Sequence, residues 1–271
     1  MKEMRKHEVV AFGRTAEILA YTPRQILKLF KADLPEDLIE AEYRIGKEVH
    51  ALGVPCPEPS EILAYGERRG IVYDRLDGIT MFRSIYQQPL TLEDKARKFA
   101  TLHLDLHRRS AKNLPEQKER LADHIEQAPL LTRTEKEAIL KHLASLPGGS
   151  KLCHGDYHPD NILLGRQAEW VIDWMTGTQG NPAGDVARTY LLLKLGRLPE
   201  ETPQDVKQWI SRIRIQLLDT YLRKYMDGSE VSMEDVNDWL LPYAAARLCE
   251  WIPEEEKRDL LKIIRAKLRT Q

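Results

Sequence analysis

A chain of 271 residues carrying 41 Lys and Arg against 42 Asp and Glu has no global basic field to draw it to nucleic acid. Its length supports one large domain or two modest ones, with ample core for independent stability. Cys56, Cys153 and Cys249 are odd in number and widely spaced, which argues against a disulfide framework or a zinc site. The opening Met-Lys-Glu-Met-Arg-Lys-His-Glu is charged with no long apolar run behind it, and no run approaches spanning length. The expectation is a cytoplasmic protein with no membrane association.

Residues 9–21 read as two short strands around a turn at Gly13, and Thr22-Pro23-Arg24 turns the chain into a strand over 25–31. In that strand Ile26, Lys28 and Phe30 share one face, and Leu27 and Leu29 take the other. A lysine with apolar neighbours on both faces is an edge guard or a functional cation. The helix that follows offers Glu40, Glu42 and Glu48 as partners. At about 100° per residue, Leu38, Ile45, Val49 and Leu52 define an apolar arc, and Glu42 lies on it. A carboxylate on a core-facing stripe needs a buried cation. Glu42 is therefore the expected partner, with a solvated rim position as the alternative. Gly53 and the prolines at 55, 57 and 59 end the helix, and strands over 60–65 and 71–73 flank a turn at 66–70.

Beyond residue 78 the pattern is largely helical. Thr91-x-x-Asp94 predicts a capping box opening a helix to about 110, with Phe99, Leu102 and Leu106 inward. His103 and His107 share a face of it, but without a third ligand nearby in sequence they read as packing or hydrogen-bonding histidines. Residues 112–128 are polar and are left without an element, and a further helix is expected over 133–146.

The most informative stretch is 152–174. Leu152 and Cys153 lead into a polar cluster of His154, Asp156, His158, Asp160 and Asn161, and apolar residues 162–164 lead out. Residues 165–168 can turn the chain so that 170–172 pairs back as a hairpin. That hairpin brings Asp173 near Asp156 and Asn161, a hard-oxygen set suited to Mg²⁺ with nucleotide phosphates. The spacing His154-x-Asp156-x-x-x-x-Asn161 equals that of the kinase catalytic loop, where Asp takes the acceptor hydroxyl proton and Asn binds Mg²⁺. The competing reading is a polar hairpin whose Asp and Asn merely make turns. After a glycine-containing loop, Asp185 opens a buried helix, and helices follow at about 203–226, 232–251 and 254–269. Ser232-x-x-Asp235 caps the second and Pro253 starts the third. The third, over 257–269, is basic and amphipathic, a pattern that suits a membrane surface or an acidic partner, and it is read as a solvated surface helix packing Leu260, Leu261, Ile264 and Leu268 inward. Tyr243, Arg247 and Glu250, at i, i+4 and i+7, share a face of the second. Arg247 and Glu250 are either a structural ion pair or groups that orient a polar acceptor.

His-Gly-Asp-Tyr-His-Pro-Asp-Asn at 154–161 followed by Val-Ile-Asp-Trp at 171–174 resembles the aminoglycoside phosphotransferase and choline kinase-like family, small-molecule relatives of the protein kinases. The resemblance runs from about Gly13 to Arg247, and Gly155 and Trp174 favour this branch over true protein kinases. It implies an α+β, bilobal protein-kinase-like fold with a small antiparallel-sheet N-lobe and a mostly helical C-lobe. The division expected is 1–78, a nucleotide-binding lobe with its hinge, and 79–271, the helical lobe with the catalytic loop and acceptor site.

Residue by residue, the resemblance implies that the Gly13 hairpin covers the nucleotide phosphates and that Lys28 holds the α- and β-phosphates, oriented by Glu42. Adenine would bond backbone groups of Asp74 and Leu76. Asn161 and Asp173 would hold Mg²⁺, and Asp156 would accept the proton of the attacking hydroxyl. His158 stands where many protein kinases have a phosphate-contacting lysine, and is read as stabilising charge or packing the loop. Asp185 resembles the aspartate that braces the catalytic loop, with an N-cap role also open. The expected activity is transfer of a phosphoryl group from ATP (or GTP) with Mg²⁺ to a hydroxyl of a small molecule, by a monomer or weak homodimer. A protein kinase-like enzyme acting on Ser or Thr and a non-catalytic nucleotide-binding pseudoenzyme are the alternatives. No Ala-Pro-Glu element follows Asp173, which counts against the first, and the intact set of Lys28, Asp156, Asn161 and Asp173 counts against the second.

Overall fold

Short strands rich in apolar residues open the chain, and helices dominate its later part. In the computed structural model, which describes residues 7–13, 15–198 and 202–269, the order begins β1 (Val9–Phe12), β2 (Ala16–Thr22), β3 (Gln25–Phe30), α1 (Glu36–Ala51), β4 (Pro59–Tyr65), β5 (Arg68–Asp74) and β6 (Ile79–Thr80). Next come α2 (Met81–Gln87), α3 (Leu92–His107), α4 (Gln117–Gln127), α5 (Arg133–Ser145), β7 (Lys151–Cys153), β8 (Ile162–Leu164), β9 (Glu169–Val171) and β10 (Thr178–Gly180). The chain closes with α6 (Pro182–Leu195), α7 (Gln204–Asp227), α8 (Met233–Ala246) and α9 (Glu254–Leu268). The described residues divide into two compact units, one of residues up to 80 together with 161–176, the other of 81–160 together with 177 onward.

The first unit is built on an antiparallel sheet of order β1-β2-β3-β5-β4, beside a three-stranded sheet β6-β8-β9. The alternation read along residues 25–30 is realised. Phe30 joins Ala16, Ile71, Tyr73 and Ile39 of α1 in one cluster, and Leu27 and Leu29 join Leu19 and Val72 in another. The arc of α1 is rotated from the one the sequence suggested, because Ile39, Glu42, Ile45, Gly46 and Val49 are its buried residues, whereas Leu38 is exposed. Glu42 lies on both arcs.

The second unit packs its helices around a two-stranded ladder of β7 and β10. Two helices were not legible in the sequence, and β10 lies in what the sequence offers only as a glycine-containing loop. The apolar stripe of α4 is only Leu121 and Ile125, with Gln117 buried beside them, a face too short to stand out in so polar a run. α2 is only seven residues long. Nor does Thr91 form the expected capping box. It closes a short 3₁₀ turn at φ −93°, ψ 6° with no side-chain cap, and its hydroxyl donates back to the Gln88 carbonyl at 2.7 Å. Ser232 does form its box with Asp235, and Thr132 forms another with Glu135. α8 stops at Ala246, and Arg247–Cys249 continues as a 3₁₀ turn. Glu250 is extended and therefore does not share a helical face with Tyr243. Of the four residues expected inward on α9, Leu260 and Ile264 are buried.

Candidate active site

In the first unit, antiparallel pairing of β3 between β2 and β5 fixes Lys28 on the sheet, and α1 presents Glu42 to it. Lys28 Nζ donates to Glu42 Oε1 at 2.7 Å and to Asp173 Oδ1 at 2.9 Å. Tyr73 Oη, from β5, donates to the same Glu42 oxygen at 2.9 Å, while Glu42 Oε2 is buried without a hydrogen-bond partner. Burial opposes the charge on Lys28, but the carboxylates of Asp173 and Glu42 outweigh it and hold the ammonium above its ordinary range. Burial pushes the Glu42 carboxyl up, with Lys28 pulling it the other way.

The β8–β9 hairpin supplies the rest of this half. Ile162 pairs with Val171, and the Ile172 N–H donates to the Asn161 carbonyl at 2.9 Å. Asn161 and Asp173 thus flank the same end of one ladder, as the sequence predicted. Asp173 takes φ 63°, a left-handed conformation that Asp tolerates better than most residues but that still costs energy. The turn behind it is pinned, since Trp174 Nε1 donates to the Val171 carbonyl at 3.0 Å and Met175 packs against the Phe30–Tyr73 cluster. A carboxylate that is 48 % exposed and a neighbouring amide make a hard-oxygen donor set. Such a set fits Mg²⁺, which binds through one or two protein ligands plus phosphate and water. Asp74 ends β5 and Leu76 lies in the irregular segment before β6, where backbone groups leave the sheet. Gly13 follows β1, and its N–H donates to the Ala16 carbonyl at 2.8 Å; Arg14 lies outside the described residues.

The second unit holds the loop from His154 to Asp160, and the chain passes into the first unit at Asn161. Asp185 on α6 is fully buried and accepts the N–H groups of His154 at 2.6 Å and Gly155 at 2.8 Å. His103 and His107 place their Nε2 atoms 3.0 and 3.2 Å from the same carboxylate. Their Nδ1 atoms lie 2.8 and 2.6 Å from the hydroxyls of Tyr221 and Tyr225. The third group that the sequence did not show is therefore Asp185. Its acceptor capacity is already taken up by two backbone and two imidazole donors, so the trio works as a brace rather than a metal site. The N-cap reading of Asp185 is corrected, because Asn181 caps α6 by accepting from the Ala183 N–H at 2.9 Å. Gly155 has φ 77°, a conformation that accounts for glycine in place of the arginine of protein kinases.

Asp156 is half-buried. His158 Nε2 lies 3.4 Å from its Oδ2, and Arg188 Nη2 donates to its Oδ1 at 3.0 Å. Burial would raise this carboxyl, but His158 and the Arg188 charge outweigh it and hold the group well below the usual carboxylate range. Arg188 was missed in the sequence, although a charge three residues after Asp185 in an otherwise apolar helix was a signal available there. Arg247 is buried. Its guanidinium holds Glu256 Oε1 through Nε at 2.7 Å and Glu250 Oε2 through Nη1 at 2.6 Å. Glu250 in turn takes Arg188 Nη1 on Oε1 at 2.5 Å. The structure thus brings Glu250 to Asp156 through Arg188 and puts Arg247 one step behind.

These two halves can be set against known proteins. Residues 13–231 match the model of a family described as the phosphotransferase enzyme family. The chain belongs to that family. Among solved structures, the family's fold recurs in a thermostable mutant of aminoglycoside phosphotransferase APH(4)-Ia complexed with ADP and hygromycin B. That match has a TM-score of 0.65 at 12% identity, covering 98% of this chain and 94% of that one. An aminoglycoside-3'-phosphotransferase of type VIII matches with a TM-score of 0.60 at 20% identity, covering 89% and 93%. A choline/ethanolamine kinase family protein from Mesorhizobium loti matches with a TM-score of 0.57 at 15% identity, covering 99% and 88%. No curated protein matches the sequence. The protein-kinase-like fold, with a small antiparallel-sheet N-lobe and a mostly helical remainder, is the one the family resemblance implied. Membership supports a small-molecule phosphotransferase. No helix among the described residues is long and apolar enough to cross a membrane.

Proposed function

We propose that this phosphotransferase moves the γ-phosphoryl group of ATP, bound with Mg²⁺, to a hydroxyl of a small-molecule acceptor. The observation that carries the reading is the ammonium of Lys28 held between Glu42 and Asp173, with Asn161 tied beside Asp173. Lys28 would hold the α- and β-phosphates, Glu42 and Tyr73 would fix its position, and the Gly13 turn and the backbone of Asp74 and Leu76 would receive the remainder of the nucleotide. Asn161 and Asp173 would hold the metal, which when bound offsets the charge of the β- and γ-phosphates.

Asp156 would accept a hydrogen bond from the acceptor hydroxyl and take its proton as the new O–P bond forms and the bond to the leaving ADP oxygen breaks. A carboxylate held so far below its usual range is a weak base. In a loose transition state the nucleophile bonds little to phosphorus, so orientation outweighs basicity. His158 would support Asp156 at its second oxygen. Glu250, 26 % exposed, is the acceptor-side carboxylate, with Arg247 behind it as support. Hygromycin B, aminoglycosides and choline or ethanolamine name the acceptor classes to test first, and sugars and other amino alcohols complete a panel.

Calorimetric titration with ATP, with and without Mg²⁺, tests the metal half of the reading. Wild type should bind ATP tightly only with Mg²⁺, and Asp173→Ala should lose both that dependence and turnover. Equal affinity with and without the metal in wild type, or unchanged turnover in Asp173→Ala, would overturn it.

A further inference from the structure

One guanidinium in the second unit reaches three acceptors, two in the catalytic loop and one in the segment after α8. Arg188 Nε donates to the Gly155 carbonyl at 3.0 Å, Nη2 to Asp156 Oδ1 at 3.0 Å and Nη1 to Glu250 Oε1 at 2.5 Å. Arg188 is buried, so these bonds meet little competition from water. The Gly155 peptide is held on its other side by Asp185, which accepts its N–H, and the left-handed φ of Gly155 sets the angle between the two contacts. Arg188 and Asp185 lie one turn apart on α6, and together they grip the loop backbone and the Asp156 side chain from one rigid helix.

Behind Arg188 the charges continue inward. Glu250 is held by Arg247, Arg247 by Glu256 of α9, and Glu256 Oε2 accepts the Arg197 N–H at 3.1 Å. A planar fork with donors in three directions suits this junction, whereas a lysine offers a single point charge. An arginine on a general base weakens it as a base. The arrangement gains only where orientation of the carboxylate matters more than its proton affinity, which is the situation in phosphoryl transfer.

We infer that Arg188 is a positioning residue that fixes the rotamer of the Asp156 carboxylate toward the acceptor, and that the chain Glu250–Arg247–Glu256 holds Arg188 in place. This rests on the reading of Asp156 as the proton acceptor. Arg188 touches neither nucleotide nor acceptor; it acts through Asp156.

The test is a double-mutant cycle on ATP consumption, using the hydroxyl compound that the acceptor panel returns, or water as acceptor. Arg188→Ala should lower kcat by about 10²-fold, the order for misplacing a catalytic group by about 1 Å. The KM for ATP and its calorimetric affinity should change little. Arg188→Lys should recover only part of the loss, and added free guanidinium should restore part of the activity of Arg188→Ala. In an Asp156→Asn background the same substitution should cost nothing further, because a residue acting through Asp156 has nothing left to position. If Arg188→Ala does not fold, Glu250→Gln keeps the arginine but neutralises its anchor; at saturating acceptor, where a role of Glu250 toward the acceptor falls in KM, it should show a smaller loss of kcat that also vanishes in the Asp156→Asn background. Wild-type kcat in a folded Arg188→Ala, or an equal loss in both backgrounds, would overturn the inference. Wild-type activity in Asp156→Asn alone would instead overturn the reading of Asp156, so the two failures are distinguishable.

Discussion

Replacing Asp185 tests how the catalytic loop is held. Its carboxylate accepts from His154 N, His103 Nε2 and His107 Nε2 on Oδ2 and from Gly155 N on Oδ1. In Asp185→Asn the better flip keeps the oxygen where three donors converge and turns the NH₂ toward the Gly155 N–H. One charge-assisted hydrogen bond is lost and the others weaken, a cost of about 2–3 kcal/mol. Asp185→Ala orphans all four donors, and breaking a buried charged network of this kind costs about 3–5 kcal/mol. For a chain of this size that corresponds to a melting temperature lower by roughly 6–20 °C. Urea unfolding followed by tryptophan fluorescence, paired with calorimetric melting, would measure both variants. Asp185→Asn within about 0.5 kcal/mol of wild type, the scatter of ordinary surface substitutions, would refute the four-donor brace.

Two further outcomes follow from the buried charges. Arg247→Ala strands Glu256, which is 1% exposed, and should cost about 3–5 kcal/mol in urea unfolding. Unchanged stability with a raised acceptor KM would mean instead that Arg247 touches the acceptor. Burial, with His107 beside it, pushes His103 down to about 3 against the pull of Asp185. Between a free-histidine value of about 6.5 and that value the unfolded chain binds a proton that the folded chain does not. Stability should therefore fall as pH drops through this window, by up to about 1.4 kcal/mol per pH unit from this group. His103→Gln should flatten the dependence between pH 7 and 5, and an unaltered slope in that variant would count against it.

The parts of the site that were legible in the sequence are those where local pattern and chemistry coincide. The period-two alternation around Lys28 and the short hairpin from Ile162 to Val171 each need only a few neighbours to be read. Glu42 was recoverable even though Leu38 is exposed and Ile39 takes its place, because Ile45 and Val49 do face the core and a carboxylate beside that stripe must find a cation. What escaped was set by distant contacts. The helix Gln117–Gln127 has an apolar face of only two large residues, Leu121 and Ile125, and the Thr91 box gave way to a 3₁₀ turn. The same holds for Arg188 and the brace of His103 and His107 on Asp185. Their partners lie 32, 82 and 78 residues away in sequence, where no local spacing rule applies. Helical periodicity puts Glu250 on the face of Arg247, and although the helix ends at Ala246, the 3₁₀ turn still returns it to Arg247.

Phosphoryl transfer itself is the decisive measurement. Wild-type protein, ATP labelled in its γ-phosphate and Mg²⁺ would be incubated with a panel of aminoglycosides, amino alcohols and sugars, and the products resolved by mass spectrometry. One class of hydroxyl compound should gain a single phosphoryl group carrying the label. Asp156→Asn should lower that kcat by roughly 10²–10⁴-fold, the range for a lost general base, while binding ATP with Mg²⁺ within a few-fold of wild type. Label appearing on a protein serine or threonine but on no small molecule would contradict the small-molecule reading, and transfer that persists undiminished in Asp156→Asn would contradict the assignment of the catalytic loop.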